Sequence, residues 1–328
     1  MQLRDLGTTG IKIAPIVLGG NVFGWTADEQ MSFALLDAFV DAGYNMIDTA
    51  DVYSRWAPGH RGGESETVLG RWFARSGKRD RVILATKVGM EMAPGDAGLA
   101  RPRILRSAED SLRRLQTDYI DLYQSHQDDP NVPIAETLEA YQDLIKAGKV
   151  RFIGASNYTA QRLSEALEIS RAGSLPAYSV LQPLYNLYDR SDYEGELESV
   201  AQQHRLGVIP YYSLAAGFLT GKYRSMNDVE GKARAYWVKG YLNARGFRIL
   251  QALDAVSKKC GAKPAQVALA WLLARPSITA PIASATNLEQ LQKLLGAAEV
   301  QLDQADLVNL DHASAEFAAQ AAAWESQN

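Results

Sequence analysis

The feature that most constrains the fold of this chain is a regular alternation of short β-branched segments with longer amphipathic ones. Each short apolar segment is followed by an Ala-, Leu- and Glu-rich stretch whose apolar residues return at spacings of three and four. Strands that alternate with helices in this way form a parallel sheet. Eight strands are predicted, at residues 16–20, 45–50, 82–87, 119–126, 150–157, 178–186, 207–213 and 278–284. Eight such units predict an α/β fold of the (β/α)8 TIM barrel type.

Segments outside these units extend the predicted barrel. Residues 4–14 read RDLGTTGIKIA, in which two short extended pieces flank a Gly- and Thr-rich turn. This pattern predicts an N-terminal β-hairpin that closes the N-terminal end of the barrel. Residues 222–245 lack a steady period and are interpreted as a long functional loop. Asp303 is a candidate N-cap for an extra C-terminal helix packed outside the barrel.

Composition limits the domain organisation and the kind of partner. The chain has 328 residues, 47% of them hydrophobic, which predicts one large core and a single domain over 1–328. The net charge is −4 and Lys and Arg are spread along the chain, so we expect a small-molecule partner rather than nucleic acid or a membrane. Cys260 is the only cysteine and no signal-peptide or membrane-spanning pattern occurs, which favours a cytoplasmic location. The oligomeric state is not indicated.

Ionisable side chains come at the ends of three neighbouring predicted strands. Asp48, Lys87 and His126 follow one another at equal intervals, one βα unit apart, and Tyr53 comes shortly after Asp48. The C-terminal ends of parallel barrel strands converge on the face that carries the active site. Each residue alone is readily explained as a turn, a cap or a surface group. Together they predict a site, because burying four such groups costs several kcal/mol unless they pair.

These four side chains suit the reduction of a carbonyl group. Hydride addition builds negative charge on the carbonyl oxygen, and a proton donor at that oxygen stabilises the transition state. Tyr53 is the candidate donor, and a nearby Lys87 ammonium is expected to lower the pKa of its phenol. Asp48 would keep Lys87 charged, and His126 would hydrogen-bond the carbonyl oxygen. No metal is indicated, since the histidines lack ligand spacing and only one cysteine is present.

Longer motifs surround these residues along nearly the whole chain. They are LGTTGIKIAPIVLGG, AGYNMIDTADVYS, GESETVLGRW, LATKVG, DYIDLYQSHQDD, GKVRFIGASNYT, LQPLYNLYDR and VIPYYSLAAGFLTGKY. In these motifs the sequence resembles the aldo-keto reductase superfamily and is similar to its bacterial oxidoreductase branch. The resemblance implies a (β/α)8 barrel, a reversible NAD(P)H-dependent reduction of an aldehyde or ketone, and a catalytic tetrad of Asp48, Tyr53, Lys87 and His126.

The resemblance also implies a nicotinamide cofactor, with NADPH/NADP as the expected form and NADH as the alternative. The implied contacts are Ser156, Asn157 and Gln182 to the carboxamide, Tyr211 to the nicotinamide ring, Leu214, Gly217 and Lys222 near the pyrophosphate, and Ser284, Thr286 and Gln290 at the adenosine end. Many relatives carry an Arg at the position of Thr286, where it can bind a 2′-phosphate. Its absence leaves both cofactor forms open.

Aromatic side chains are concentrated in the loops expected around the barrel mouth. The candidate substrate contacts are Phe23, Trp25, Trp56 and Tyr185. Aromatic walls favour a moderately large or apolar carbonyl compound over a small sugar phosphate, and they also suit a role in covering the cofactor. The loop 222–245 is a candidate lid over the cofactor.

Two other function classes stay open at this point. Barrel aldolases also carry a strand-end Lys, so Lys87 is compatible with Schiff-base chemistry. A cofactor-sensing binding subunit with little turnover, as in some members of the superfamily, is the second alternative. An enzyme is favoured because the chain has no added interaction domain.

Overall fold

Two short antiparallel strands form the predicted hairpin near the start of the chain. The computed structural model describes residues 1–232 and 234–316. Strands β1 (Arg4–Asp5) and β2 (Lys12–Ile13) pair with each other, as the Gly- and Thr-rich turn between them predicts. Gly7 in that turn has φ = 58°, a left-handed conformation that Gly adopts without steric cost.

A single parallel sheet forms the centre of the molecule. Its eight strands within the described residues are β3 (Val17–Gly19), β4 (Met46–Asp48), β5 (Ile83–Val88), β6 (Ile120–Ser125), β7 (Val150–Ser156), β8 (Val180–Gln182), β9 (Gly207–Val208) and β10 (Ile282–Ala283). Each strand from β3 to β9 pairs with the next, and β10 pairs with β3. Backbone hydrogen bonds from Thr279 N to Val208 O (2.8 Å) and from Ile282 N to Pro210 O (2.9 Å) join the last two strands. The (β/α)8 TIM barrel is confirmed.

Helices pack around the outside of this sheet. They are α1 (Glu29–Asp41), α2 (Glu64–Ser76), α3 (Arg101–Leu115), α4 (Ile134–Lys146), α5 (Ala160–Gly173), α6 (Glu196–Gln203), α7 (Ala235–Lys239), α8 (Ala244–Cys260), α9 (Pro264–Leu273), α10 (Leu288–Leu295) and α11 (Gln304–Ser314). The extra C-terminal helix is confirmed as α11, where Asp303 Oδ1 accepts from Asp306 N at 2.9 Å. In the described part of the chain, no helix has both the length and the apolar composition needed to cross a bilayer.

Two apolar cores lie on the two sides of the sheet. Inside the barrel, Leu6 and Ile13 of the hairpin pack against inward-facing strand residues that include Met46, Leu122 and Val180. A larger core fills the space between the sheet and the helices. Because the hairpin covers the N-terminal end, the open end of the barrel is the C-terminal one, where barrel enzymes carry their active sites.

The segment after β9 contains more regular structure than its sequence pattern predicts. Two short 3₁₀ turns joined by a kink span Ala215–Thr220, a 3₁₀ helix spans Met226–Val229, and α7 follows within the region predicted as loop 222–245. Helices of four to six residues are too short to show a hydrophobic period, which is why the sequence pattern missed them. Tyr236 on α7 is 85% exposed, so this segment presents an aromatic ring to solvent.

Candidate active site

The C-terminal ends of β4 and β5 bring a carboxylate, an ammonium and a phenol into contact. Lys87 Nζ donates to Asp48 Oδ2 at 2.6 Å, to Thr49 O at 2.8 Å and to Tyr53 Oη at 2.9 Å. All three ammonium protons are therefore used. The side chains of Lys87 and Asp48 are 0% and 1% exposed. Tyr53 keeps part of its surface exposed, so the phenol is the member of this group that a substrate can reach.

Two buried amides hold the second carboxylate oxygen of Asp48. Gln124 Nε2 donates to Asp48 Oδ1 at 3.2 Å, and Gln182 Nε2 donates to the same oxygen at 2.8 Å. The sequence interpretation assigned Gln182 to the carboxamide of a cofactor and omitted Gln124. Gln124 lies two positions before His126, so the alternation of side chains along β6 is the signal that could have found it.

The electrostatic environment of Tyr53 differs from the one expected from sequence. Burial, and then the nearby Asp48 carboxylate, hold the pKa of Tyr53 well above its usual value. The expected lowering by Lys87 is not found here, because burial of the phenol and the charge of Asp48 both raise its pKa. Burial also lowers the pKa of Lys87, although Asp48 opposes this effect. Tyr53 consequently remains a protonated phenol at neutral pH.

His126 follows β6 and faces the phenol. Its ring centroid lies 5.9 Å from that of Tyr53, with the two planes at 72°. Burial, and next the charge of Lys87, lower the pKa of His126 well below its usual value, so the imidazole is neutral. Its Nδ1 is buried and has no hydrogen-bond partner among residues 1–232 and 234–316.

Three of the residues predicted to hold a nicotinamide ring lie together beside His126. Asn157, with φ = 54°, donates from Nδ2 to His126 O at 2.8 Å and to Ser156 Oγ at 3.2 Å. Its Oδ1 accepts from Tyr211 Oη at 2.7 Å. The ends of β7 and β9 therefore present an amide, a hydroxyl and an aromatic ring next to the phenol and the imidazole.

A run of left-handed residues follows β9. Ala215, Ala216 and Gly217 have φ values of 47°, 55° and 97°, and Leu214 O accepts from Gly217 N at 2.8 Å. Left-handed conformations are costly for residues with a Cβ atom and cluster at functional sites. Turns of this kind form concavities lined by backbone N–H groups, which suit anions. A Cβ atom at Gly217 would lie 3.7 Å from Lys222 Nζ, so the predicted cation is close to this turn.

The residues predicted for the adenosine end lie where β10 leads into α10. Thr286 donates from N and from Oγ1 to Gln290 Oε1, at 3.0 and 3.1 Å. Ser284 Oγ donates to Asn21 Oδ1 at 2.6 Å. The side chain of Asn287 caps α10 by accepting from Gln290 N at 2.9 Å. Hydroxyl groups at a helix N-terminus can bind a phosphate.

Arg234, which the sequence interpretation omitted, is a cation without a carboxylate partner among residues 1–232 and 234–316. Burial lowers the pKa of its guanidinium, and its electrostatic neighbours are Tyr212 and Tyr223. Within the part of the chain that the structure describes, no carboxylate offsets this burial. Arg234 belongs to a segment with no periodic pattern, so only the structure could connect it with the turn after β9.

Two of the four predicted substrate contacts lie beside the phenol. The ring centroids of Trp25 and Trp56 are 5.6 Å apart, and that of Trp56 is 5.9 Å from that of Tyr53. Trp56 is 43% exposed, so an aromatic surface leads from solvent towards Tyr53.

Phe23 and Tyr185 do not line the mouth, which corrects the sequence interpretation. Phe23 is 0% exposed because the loop after β3 turns its ring into the core. Tyr185 is 1% exposed because it packs against Trp271, with ring centroids 5.5 Å apart, and donates to Glu194 Oε1 at 2.7 Å. Neither side chain has surface available for a substrate.

Comparison of the sequence with known proteins identifies the family to which the chain belongs. The family model described as "Aldo/keto reductase family" matches residues 15–315. The chain belongs to the aldo/keto reductase family.

Relatives of this aldo/keto reductase match along most of their own length. An "uncharacterized oxidoreductase", YrpG of Bacillus subtilis (strain 168), is 36% identical over 93% of this chain and 93% of its own. "Aldo-keto reductase YhdN" of the same organism is 34% identical, over 94% and 92%. A "probable voltage-gated potassium channel subunit beta" of Oryza sativa subsp. japonica is 31% identical, over 92% of both chains. The family and the oxidoreductase relatives support carbonyl reduction as the general class of chemistry.

The side chains at the C-terminal ends of β4, β5 and β6 have the chemistry needed for proton transfer. A protonated phenol, an ammonium that donates to its oxygen and a neutral imidazole meet at the open end of the barrel. Such a set can protonate an oxygen on which negative charge develops. Among the described residues, no group of three or more His, Cys, Asp or Glu side chains is arranged to hold a metal ion.

Proposed function

We propose that this chain catalyses the reversible reduction of an aldehyde or ketone to an alcohol, with NADPH as hydride source and Tyr53 as proton donor. The observation that carries the proposal is the hydrogen bond of 2.9 Å from Lys87 Nζ to Tyr53 Oη. A buried ammonium bonded to a partly exposed phenol adds little to stability, because both groups are costly to desolvate. It does stabilise negative charge on the phenol oxygen once the proton has left.

The mechanism follows from the order of these contacts. The substrate carbonyl oxygen binds within hydrogen-bond reach of Tyr53 Oη and beside His126. As hydride addition places negative charge on that oxygen, the Tyr53 proton moves to it. Lys87 then donates to the phenolate oxygen that remains, and Asp48 balances the charge of Lys87. Neutral His126 hydrogen-bonds the carbonyl oxygen and orients it.

The side chains around this centre fit a nicotinamide dinucleotide, which supplies the hydride when bound. Ser156 and Asn157 would hold the carboxamide, and Tyr211 would cover the ring. The left-handed turn at Gly217 and the Lys222 ammonium would face the pyrophosphate. Gln182 would connect the carboxamide site with the tetrad through its bond to Asp48 Oδ1, and Leu214 would support the turn.

The proposed preference for NADPH over NADH depends on side chains near α10 and α7 that could bind the 2′-phosphate. Thr286 and Gln290 supply donors at the start of α10, and Ser284 lies beside them. Arg234 adds a half-buried guanidinium whose charge no carboxylate of the described residues offsets. A phosphate dianion would provide that partner. NADH remains the alternative because Thr286 has no charge.

The substrate we propose is a moderately large or apolar carbonyl compound. Trp25 and Trp56 form an aromatic wall that ends at Tyr53. Such a wall favours a flat or apolar group next to the reacting carbonyl, because aromatic contacts gain little from a charged sugar phosphate.

The Schiff-base alternative is disfavoured by the surroundings of Lys87. An amine must lose its proton and approach the substrate before it can attack a carbonyl carbon. Lys87 is fully buried, and its three protons are donated to Asp48, Thr49 and Tyr53. The phenol therefore lies between the amine and the open end of the barrel.

The binding-subunit alternative has one observation in its favour, the relative described as a potassium channel subunit beta. The intact contacts of Lys87 with Asp48 and Tyr53 favour an enzyme, because a cofactor sensor has no need of a proton donor. Turnover measurements separate the two functions.

The deciding experiment is a panel of aromatic aldehydes, aliphatic ketones and sugar phosphates assayed with NADPH and NADH in parallel. We expect turnover, fastest with aromatic aldehydes and NADPH. The matched control is Tyr53→Phe, which keeps the ring but removes the proton. It should bind cofactor normally, seen as quenching of Trp fluorescence, and lose at least about 10²-fold in kcat. Normal turnover by Tyr53→Phe would show that another group donates the proton, and absence of turnover by the unmodified protein would favour the binding subunit.

A further inference from the structure

Asp51 is a buried acid that the mechanism described above does not use. It lies in the loop after β4 and is 1% exposed. By distance and angle, neither carboxylate oxygen has a hydrogen-bond partner among the described residues. Its own backbone N–H donates to Lys87 O at 3.3 Å, which ties this loop to the strand that carries the catalytic ammonium.

The charged groups around Asp51 are already paired with one another. The ion pairs are Lys87 with Asp48 (2.6 Å), Arg114 with Glu66 (2.7 Å) and Arg103 with Asp96 (3.1 Å). Glu66 also accepts from Thr86 Oγ1 at 2.6 Å. Asp51 is the acid in this cluster without a cation of its own, and a buried charge without a partner is costly.

We propose that Asp51 is a positioning residue for Lys87: a carboxylic acid that is largely neutral below neutral pH, and whose ionisation as the pH rises adds a negative charge near the ammonium and so keeps Lys87 and, through it, Tyr53 protonated. This inference rests on the proposed reductase function. The Asp51 proton leaves to solvent, and no bond to substrate or cofactor forms. Asp51 therefore acts through Lys87 and not on the reacting atoms.

The groups that face Asp51 agree with this role. They are Glu66 from α2, Arg103 and Arg114 from α3, Lys87 from β5, Tyr123 from β6 and Tyr141 from α4. Burial, and next the charge of Glu66, raise the pKa of Asp51 to about 7, against the two arginines. Burial lowers the pKa of Lys87, whereas the negative charges of Asp51 and Glu66 raise it because they favour the ammonium. The hydroxyl of Tyr123, also without a partner among the described residues, adds no charge.

The kinetic test is Asp51→Asn, which keeps the shape and removes the ionisation. Carbonyl reduction requires a protonated Tyr53, so kcat falls on the alkaline side when Lys87 and Tyr53 lose their protons. Without the negative charge of Asp51, these protons are lost more easily, and the alkaline limb of kcat should move to lower pH by roughly half a unit or more. KM at neutral pH should stay unchanged, since Asp51 does not contact the substrate. Asp118→Asn, at an exposed position, is the matched control and should leave the limb in place.

A second measurement does not depend on turnover. The acid ionises at about pH 4 in the unfolded chain and at about 7 in the folded one. Between these two pH values Asp51 binds a proton in the folded chain but not in the unfolded chain. The contribution of Asp51 to the free energy of unfolding therefore falls as the pH rises from about 4 to about 7, and is constant above that. The Tm of Asp51→Asn relative to wild type should therefore increase from about pH 5 to about pH 8. In the wild type itself, a carboxylic-acid infrared band should disappear over the upper part of this range.

The outcomes are distinguishable. Turnover by the wild type with an identical alkaline limb in Asp51→Asn would overturn the positioning role, and parallel Tm curves with no carboxylic-acid band would overturn the neutral state. Absence of carbonyl reduction by the wild type, with the pH-dependent Tm difference present, would instead reject the proposed reductase function.

Discussion

Asp48 and Lys87 form an ion pair that is withdrawn from solvent. The pair has Nζ 2.6 Å from Oδ2, with both side chains essentially fully buried. Such pairs add little net stability, because the desolvation of two charges offsets their attraction. The pair is therefore better explained by what it does for Tyr53, whose oxygen receives the third proton of the ammonium.

Substituting one or both members of this pair should show that its contribution to the free energy of unfolding differs from its contribution to catalysis. Lys87→Met leaves Asp48 charged and buried, so we expect a loss of about 3–5 kcal/mol in the free energy of unfolding. The double variant Asp48→Asn/Lys87→Met removes both charges and should recover most of that loss. Neither variant should reduce carbonyl compounds at a significant rate. Denaturant unfolding and steady-state assays test this, and a double variant as unstable as the single one would argue against uncompensated charge as the cause.

Single residues differ in how far sequence could predict them. The positions of Asp48, Tyr53 and Lys87 follow from strand ends in a parallel barrel, and the structure brings these side chains into contact. The pKa of Tyr53 could not be predicted in the same way, because it depends on how completely packing removes water from the phenol. For the same reason the burial of Phe23 was missed, since the direction of a loop after a strand is not encoded in a periodic pattern.

At the scale of elements, the start of α10 supplies the side chains that we propose for binding the 2′-phosphate of the cofactor. The helix is capped by Asn287, and Thr286 is occupied with Gln290. These groups are neutral. The charge that a 2′-phosphate requires must therefore come from elsewhere, and Arg234 in front of α7 is the candidate from the segment after β9.

Thr286→Arg should raise the preference for NADPH. A guanidinium at this position would add a bidentate partner for the 2′-phosphate, so the ratio of kcat/KM for NADPH to that for NADH should increase by about tenfold, equivalent to about 1.4 kcal/mol. Leu288→Arg, at an exposed position in the first turn of α10, adds the same charge without replacing Thr286 and serves as control. An equal change in both variants would point to a general charge effect rather than to a phosphate site at Thr286.

Regular elements were predictable where they are long enough to carry a period. Every barrel strand overlaps its predicted segment, although β9 and β10 are only two residues each. The 3₁₀ turn at Ala215–Thr220 was not predictable, because Ala215 and Ala216 adopt left-handed angles that alanine ordinarily avoids. Its geometry is imposed by the surrounding barrel and not by local preference.

For the molecule as a whole, the hairpin and the proposed active site lie at opposite ends of the barrel. The hairpin places Leu6 and Ile13 against the inner core at the N-terminal end. The tetrad residues lie at the C-terminal ends of β4, β5 and β6. A change at one end should therefore leave the other unaffected.

Leu6→Ala tests this separation. Leu6 is 1% exposed, so its truncation should cost about 2–5 kcal/mol in the free energy of unfolding. The kcat and KM of the folded enzyme should not change, because the substituted side chain lies at the far end of the barrel. Leu3→Ala, at a position 43% exposed, should have almost no effect on Tm. If kcat falls in proportion to Tm in Leu6→Ala, the two ends are coupled.

The closure of the barrel between β9 and β10 has a consequence for how the molecule opens. The two strands are the shortest of the sheet, and few backbone bonds hold this seam, among them Thr279 N to Val208 O and Ile282 N to Pro210 O. Local unfolding that separates neighbouring strands of the barrel should therefore begin between β9 and β10. The turn around Gly217 follows one side of the seam and Ser284 follows the other. On the proposed assignment, a bound dinucleotide contacts the residues on both sides of this seam. Cofactor binding should therefore stabilise the closed barrel in addition to supplying the hydride.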